Sequence, residues 1–229
     1  MRAFLIRLAL PLLLAATASA DWVIESNVES PKVNGVMVVK VKGDKVRMDI
    51  PNERLGGLTS IVDTKTGDTI QIIHARKVAM KMDGATLKQT ITAAREKNGI
   101  KEDDSPELKT TGETEKVGDY DCDIYTWSNG AVTKKYWVAK NHPNAAALKE
   151  LEKQMRNGFV SGMQVGPDTT KLPGPVIKTE SVTPTGTMRT QITSLKEQEV
   201  EAKDFEVPEG YQTVAAPATP TPGATPAAK

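Results

Sequence analysis

Apolar and polar residues alternate along much of the chain, in short runs that tight turns separate. A period of two residues sends successive side chains to opposite faces of a β-strand. Alternating runs fill residues 22–82 and recur at 120–138 and 176–195. Turn sequences such as Lys42-Gly43-Asp44 join neighbouring runs. The pattern predicts an antiparallel sheet made mostly of hairpins, in meander order.

Two segments follow the period of an α-helix instead. Each carries a narrow apolar stripe, which predicts a helix that rests on the sheet with one face and keeps the other in water. The stripe residues are Leu87, Ile91 and Ala94 in the first segment, and Leu148, Leu151 and Met155 in the second. Asp83 precedes the first segment as a helix cap, and Pro143 suits the first turn of the second. The predicted fold class is therefore α+β.

The segment 118–138, GDYDCDIYTWSNGAVTKKYWV, carries the strongest hairpin signal in the chain. Asn129-Gly130 stands between two alternating runs, and a two-residue turn at this position pairs Cys122 with Trp137. The same register pairs Ser128 with Ala131. Cys122 and Trp137 then share one face of the hairpin, and we expect this face to belong to the core.

Three aspartates surround the single cysteine in the sequence but fall on the opposite face of the predicted hairpin. They are Asp119, Asp121 and Asp123. A reactive thiolate needs a nearby cation, helix N-terminus or base, and acidic neighbours supply none of these. We therefore expect Cys122 to be a small core residue, with the aspartates on an outer face that pairs with Lys134 and Lys140. A nucleophilic pair of Cys122 and a histidine is the alternative.

Catalytic and metal-binding patterns are missing from the rest of the sequence. His74 and His142 lack the spacing of a zinc site, and the turn at 63–68 lacks the ligand spacing and final glutamate of a calcium loop. No phosphate-loop, dinucleotide-binding or serine-hydrolase motif occurs. The sequence predicts no catalytic residue, no metal and no cofactor, and a protein that is not an enzyme.

The charge balance gives no sign of a nucleic-acid partner. The 30 Lys and Arg residues nearly match the 29 Asp and Glu residues, which leaves a formal net charge of +1. A chain with nearly equal numbers of positive and negative residues is not expected to form the basic surface that attracts nucleic acids or anionic membranes. The single cysteine cannot form an internal disulfide. The sequence leaves the oligomeric state open.

The two ends of the chain differ in composition from the part between them. Residues 1–20 combine Arg2 and Arg7, an apolar run and the small residues Ala18-Ser19-Ala20, which predicts a cleaved secretory signal peptide. Residues 212–229 are mostly Ala, Pro and Thr, which predicts a disordered tail. We expect an exported protein, periplasmic or secreted, with a single domain at 21–211 and no transmembrane segment in the mature chain.

Three sequence blocks carry a resemblance to a known family. They are GDYDCDIYTW, the following KKYWVAK strand, and the closing DFEVPEGY. With these blocks, the chain from about Val36 to Tyr211 resembles the bacterial family called domain of unknown function 4412. The resemblance implies no established activity and no catalytic residues. The predicted architecture is similar to that of periplasmic lipoprotein carriers, in which a strongly curved antiparallel sheet forms an open half-barrel with helices on its concave side.

This resemblance suggests where a ligand would lie. In a half-barrel, the stripes of the two helices would face an apolar cleft, and the loop from Phe159 to Leu172 would gate it. The candidate ligand-binding residues are Leu87, Ile91, Leu148, Leu151, Met155 and Phe159. The first hypothesis is a non-enzymatic protein that binds a lipid, an acyl chain or a lipidated partner protein. The alternative is an envelope structural or protein-interaction module with a filled core.

Overall fold

The computed structural model describes residues 20–31, 33–97, 107–158 and 166–215, and within them it contains twelve strands and two α-helices. The strands are β1 (Trp22–Glu29), β2 (Asn34–Lys42), β3 (Lys45–Ile50), β4 (Leu58–Asp63), β5 (Thr69–Ile73), β6 (Val78–Met82), β7 (Lys109–Val117), β8 (Tyr120–Ser128), β9 (Thr133–Val138), β10 (Val176–Thr183), β11 (Gly186–Glu197) and β12 (Gln212–Ala215). The helices are α1 (Gly84–Lys97) and α2 (Ala145–Gly158). This content confirms a predominantly antiparallel strand protein with two helices among the described residues.

All twelve strands join one sheet, in the order β12-β6-β5-β4-β3-β2-β1-β11-β10-β9-β8-β7. The order consists of two meanders, β1 to β6 and β7 to β11, which meet where β11 pairs with β1. A single meander was expected, and this part of the prediction is wrong. Pairing of β1 with β11 joins residues about 170 positions apart, and local alternation carries no information about it. Among the described strands the sheet stays open, with β12 and β7 at its edges.

Neighbouring residues of β1 belong to two core clusters on opposite faces of the sheet, because side chains alternate between the faces of a strand. Val23 joins a cluster that Val200 and Phe205 from the C-terminal segment cover. Ile24 joins a second cluster, in which Leu151 of α2 packs against β2 and β3. The sheet around β1 is therefore covered by the C-terminal segment on one face and by α2 on the other.

The β8–β9 hairpin has a longer turn than the sequence predicts. Ser128 pairs with Thr133, and Trp137 pairs with Ile124 rather than with Cys122. The reason is the side chain of Asn129, whose Oδ1 accepts hydrogen bonds from the backbone N–H groups of residues 131 and 132 and so closes a four-residue turn. A shift of two residues preserves the faces. Cys122 and Trp137 accordingly belong to one core cluster, with 0% and 5% of their surfaces exposed.

The second face of this hairpin is also buried, which corrects the expectation of an outer face. Trp127, Tyr136 and Val138 are buried although they alternate with the Cys122 face. Gly166 lies close to Tyr136, so the segment after α2 covers this face in part. The predicted ion pair between Asp123 and Lys140 is present at the margin of the hairpin.

The sheet extends beyond the predicted end of the domain. Strand β12 begins at Gln212, which pairs in parallel with Val78 of β6, and it ends at Ala215. The predicted tail boundary at residue 212 is therefore four residues too early, and residues 216–229 lie outside the described part of the chain, as do residues 1–19. Neither described helix has the length and apolar character needed to cross a membrane.

Candidate functional site: an apolar cavity beneath helix α2

A cavity of about 280 Å³ lies between α2 and strands β1–β3 and β9–β11. Most of its lining is apolar. The apolar lining residues are Ile24, Met37, Val39, Met48, Leu148, Leu151, Met155, Pro175, Val176, Ile177 and Ile192. The polar lining residues are Ser26, Tyr136, Glu152, Thr169, Lys178, Thr179 and Thr190. An apolar cavity with a few polar groups has the character of a small-molecule site.

Helix α2 forms one wall of the cavity. Leu148 and Leu151 lie on one face of the helix, are buried, and pack into two of the core clusters. The helix is also tied to the segment that follows it. Lys149 Nζ donates to the backbone carbonyls of Thr170 at 2.5 Å and Leu172 at 2.6 Å. These contacts fix the position of α2 over the sheet.

A second contact holds the C-terminal end of α2 to the same segment. Arg156 Nε lies 3.5 Å from Asp168 Oδ1, and Arg156 also donates to the carbonyl of Pro167. Burial acts to raise the pKa of Asp168, but the hydrogen bond from Thr170 and the charge of Arg156 outweigh it and hold the pKa below the usual range. Asp168 therefore stays ionised as a partner for the helix.

One end of the cavity is polar. The hydroxyl group of Thr169 donates a hydrogen bond to Glu152 Oε1. Burial raises the pKa of Glu152 above its usual range, although the Thr169 hydrogen bond and the charge of Lys149 act in the opposite direction. Burial, and then the nearby Glu152, also raise the pKa of Tyr136. This end of the cavity therefore favours neutral side chains and, by the same physics, neutral ligand groups.

The lysine in the cavity lining is engaged by groups of the protein. Lys178 Nζ donates to Glu115 Oε1 at 2.8 Å and lies 4.2 Å from the centre of the Trp137 ring. Trp137 Nε1 donates to the other oxygen of Glu115 at 2.8 Å. Lys178 and then Trp137 lower the pKa of Glu115, so the carboxylate stays charged. The lysine charge is neutralised within this group.

The structure brings together three of the six predicted ligand-binding residues. Leu148, Leu151 and Met155 line the cavity. Leu87 and Ile91 are half-buried on α1 and are not among the described residues of the lining. Helix α1 begins against the turn between β4 and β5, and this position explains why Leu87 and Ile91 lie apart from the cavity. Phe159 lies outside the described residues.

The sequence reasoning missed the polar residues of the cavity. Glu152 follows Leu148 by four positions, so it lies on the same face of the helix as the apolar stripe. An acidic residue within such a stripe was therefore the available signal. Tyr136 and Thr169 had no comparable signal, because their approach to α2 depends on pairing between distant strands and on the path of the chain after the helix.

A separate polar network lies on the sheet face that the C-terminal segment covers. Thr59 Oγ1 donates to Asp49 Oδ1 at 2.5 Å and lies 2.8 Å from His74 Nε2, while His74 Nδ1 lies 2.8 Å from the hydroxyl oxygen of Tyr211. Arg47 donates to both Asp49 oxygens. The residue types resemble those of a nucleophile relay, but Thr59 is fully buried and its hydroxyl cannot meet a substrate. We assign the network to stability.

The fold and the cavity define an open, single-sheet protein with an apolar site beneath a helix. The family model for the domain of unknown function (DUF4412) matches residues 23–211, and the chain belongs to that family. This match confirms the resemblance drawn from the sequence blocks. A search of curated proteins finds no match to the chain.

Several solved structures are similar to the chain at low sequence identity. Two crystal forms of PNGF-II match with 15% and 16% identity, each with a TM-score of 0.43 and 86% of this chain covered. The chain spans about a third of the length of PNGF-II, at 32% and 31% in the two forms. The lipoprotein LppX of Mycobacterium tuberculosis matches with 9% identity and a TM-score of 0.41, covering 78% of this chain and 88% of LppX.

Proposed function

We propose that the protein is an exported, non-enzymatic carrier that holds a single aliphatic chain of a lipid or lipidated partner in the cavity beneath α2. The apolar cavity carries the proposal. Its eleven apolar lining residues come from both the sheet and the helix. In this proposal the sheet curves around the cavity as a half-barrel and α2 lies on its concave side, while α1 takes no part in binding.

The size of the cavity limits the ligand. Its volume of about 280 Å³ lies at the lower limit of ligand pockets, which are typically about 300–1,000 Å³. One aliphatic chain suits such a space better than a lipid with several chains. Burial of a chain against these side chains stabilises the complex by about 0.8 kcal/mol per CH₂ group. Export, to the periplasm or outside the cell, follows from the predicted signal peptide at residues 1–20 and is part of the proposal.

The alternative function, protein interaction through a sheet edge, has weaker physical support. Strand β7 forms one edge, and its side chains from residue 109 to residue 116 are exposed. Those residues include Lys109, Glu113 and Lys116, and the pairing with β8 shifts register between Thr110 and Thr114. Charges and irregular register are features that protect sheet edges from pairing with other chains.

A neutral apolar dye tests the carrier proposal. We expect Nile red to bind the purified protein saturably, and native mass spectrometry of protein from its export compartment to show a bound lipid. Met155→Trp fills the cavity and should weaken dye binding by about tenfold. Leu87→Trp, on the helix outside the cavity, is the matched control and should bind the dye as the unaltered protein does. Equal losses for both variants, or no saturable binding by the unaltered protein, would refute the proposal.

A further inference from the structure

Two hydrogen-bonding groups at the polar end of the cavity have no partner among the described residues. The Tyr136 side chain lines the cavity, the residue is only 6% exposed, and its hydroxyl group makes no hydrogen bond to the described residues. Glu152 accepts one hydrogen bond, from Thr169 to Oε1, and its Oε2 accepts none from the described part of the chain. Among the described residues, the fully buried side-chain atoms without a partner are Trp127 Nε1 and Gln154 Oε1, so the Tyr136 hydroxyl and Glu152 Oε2 are instead accessible and can bind a ligand group in the cavity.

The cations around this end are committed to protein groups. Lys149 donates to two backbone carbonyls, and Arg156 contacts Asp168 and Pro167. Lys178 pairs with Glu115, and Lys134, close to Gly166, also has an interaction of its own. Lys149 keeps its positive charge, because carbonyl oxygens are neutral, but its N–H donors and those of Arg156 already serve protein groups. An anionic head group would therefore have to displace one of these contacts and lie beside the Glu152 carboxyl group. That placement is strongly unfavourable.

We infer that the cavity selects a single-chain amphiphile whose head is an uncharged hydroxyl group, held by Glu152 and Tyr136; this inference rests on the proposed carrier function. A hydroxyl group both donates and accepts, so it can donate to one of these groups and accept from the other. A phosphate or carboxylate head is disfavoured, because the lysines and arginines described around this end already donate to protein groups and the head would lie beside the Glu152 carboxyl group. An ammonium head is disfavoured because apolar side chains surround the site and the same helix already carries Lys149 and Arg156 beside Glu152.

The polarity of the site supports an uncharged ligand head. Burial raises the pKa of Glu152, which favours its protonated form. A protonated carboxyl group offers one O–H donor together with acceptor oxygens, and Thr169 already occupies Oε1. The Tyr136 hydroxyl supplies a further donor on the opposite wall, from strand β9. The two walls thereby present complementary partners for one hydroxyl group.

Displacement of Nile red by three ligands with the same chain tests the inference. The ligands are dodecanol, dodecyl phosphate and dodecylamine. We expect dodecanol to displace the dye at a concentration about tenfold lower than either charged ligand. If the phosphate or the amine displaces the dye as readily as the alcohol, the inference is wrong while the carrier function stands. If neither the dye nor any of the three ligands binds, the carrier function itself is wrong, and the inference with it.

A pair of tyrosine variants tests the assigned contact. Tyr136→Phe removes the hydroxyl group and should reduce the preference for dodecanol over dodecyl phosphate by about tenfold. Tyr125→Phe is the matched control, because Tyr125 is the cross-strand partner of Tyr136 but does not line the cavity among the described residues. An unchanged preference in Tyr136→Phe would overturn the role of this residue. The ligand panel on the unaltered protein remains decisive if the variant fails to fold.

Discussion

His74 and Tyr211 are 137 residues apart in the sequence, yet His74 Nδ1 lies 2.8 Å from the Tyr211 hydroxyl oxygen. The single hydroxyl proton of Thr59 is used in its hydrogen bond to Asp49, so His74 Nε2 donates to Thr59. A neutral His74 then accepts at Nδ1 from Tyr211. This chain of donors fixes the tautomer of the imidazole and attaches the C-terminal segment to the sheet just before β12.

The two ends of this network should differ in their contribution to stability. Tyr211→Phe removes one half-buried hydrogen bond and should lower the free energy of unfolding by about 0.5–1.5 kcal/mol. Thr59→Val removes a fully buried hydroxyl and both of its hydrogen bonds, so Asp49 keeps only Arg47 and His74 keeps only Tyr211, and a loss of about 1–3 kcal/mol is expected. Urea unfolding measures both. Thr114→Val, on the exposed edge strand β7, is the control. If Thr59→Val lowers the free energy of unfolding no more than Thr114→Val does, the assigned hydrogen bonds are wrong.

The carboxylate of Asp49 should make stability sensitive to acid. Burial acts to raise its pKa, but hydrogen bonds from Arg47 and Thr59 outweigh burial and hold the pKa below the usual value of 3.8. The stabilisation is therefore present above 3.8 and is lost as the pH falls through the lower folded-state pKa. Asp49→Asn should cost about 1–3 kcal/mol at neutral pH, and the difference from the unaltered protein should shrink in acid. Asp121→Asn, at an exposed position, should change stability by less than about 0.5 kcal/mol at either pH.

Glu152 should have the opposite pH dependence. Burial raises its pKa above the usual value of 4.5, so the folded protein holds this proton more strongly than the unfolded chain does. The stabilisation is fully present below 4.5 and is lost as the pH rises through the folded-state pKa. The stability of Glu152→Gln relative to the unaltered protein should therefore improve between acid and neutral pH. Glu150→Gln, exposed on the same helix, is the control. If the stability difference between Glu152→Gln and the unaltered protein is the same at acid and neutral pH, burial does not shift the pKa of Glu152.

Local patterns predicted most of the elements, because alternation and helical spacing are properties of short segments, but they missed β7, whose residues 109–116 are all exposed and carry no apolar alternation. The hairpin at Asn129-Gly130 is present, and Cys122 is buried. Asp83 caps α1 as expected, since its Oδ1 accepts from the Thr86 backbone N–H at 2.8 Å. Even the error in hairpin register left each side chain on its predicted face, because the shift was two residues.

The arrangement of the elements was less predictable, since it depends on contacts between distant segments. Pairing of β1 with β11 and of β12 with β6 has no local signature, and the order of the sheet follows from both. The same limit applies to the cavity. The stripes of α1 and α2 look alike in sequence, but Leu151 packs over β2 and β3 whereas α1 begins at the β4–β5 turn. Periodicity identifies which face of a helix is apolar, but it does not identify the surface which that face meets.

Cys122 should behave as a core residue. It has no exposed surface, and burial, followed by the charges of Asp121 and other acids, raises the pKa of its thiol. Cys122→Ser introduces a hydroxyl that needs a partner and should cost about 1–3 kcal/mol in urea unfolding. Cys122→Ala, which adds no polar group, should cost less. A thiol reagent should label Cys122 only after unfolding, and rapid labelling of the folded protein would show instead that the thiol is accessible and reactive.

Gly84 gives a prediction in which packing opposes helix propensity. It opens α1, and Ala is favoured over Gly by about 1 kcal/mol within a helix. A Cβ atom at Gly84, however, would meet the Thr66 carbonyl oxygen and would lie 2.6 Å from the carbonyl carbon of Gly67. Both obstacles are backbone atoms, so the helix start or the β4–β5 turn must move, and Gly84→Ala should lower the free energy of unfolding by about 1–3 kcal/mol. The neighbouring Ala85→Gly changes propensity without a clash and should cost about 0.5–1 kcal/mol. A Gly84→Ala variant more stable than the unaltered protein would show that α1 does not dock closely on this turn.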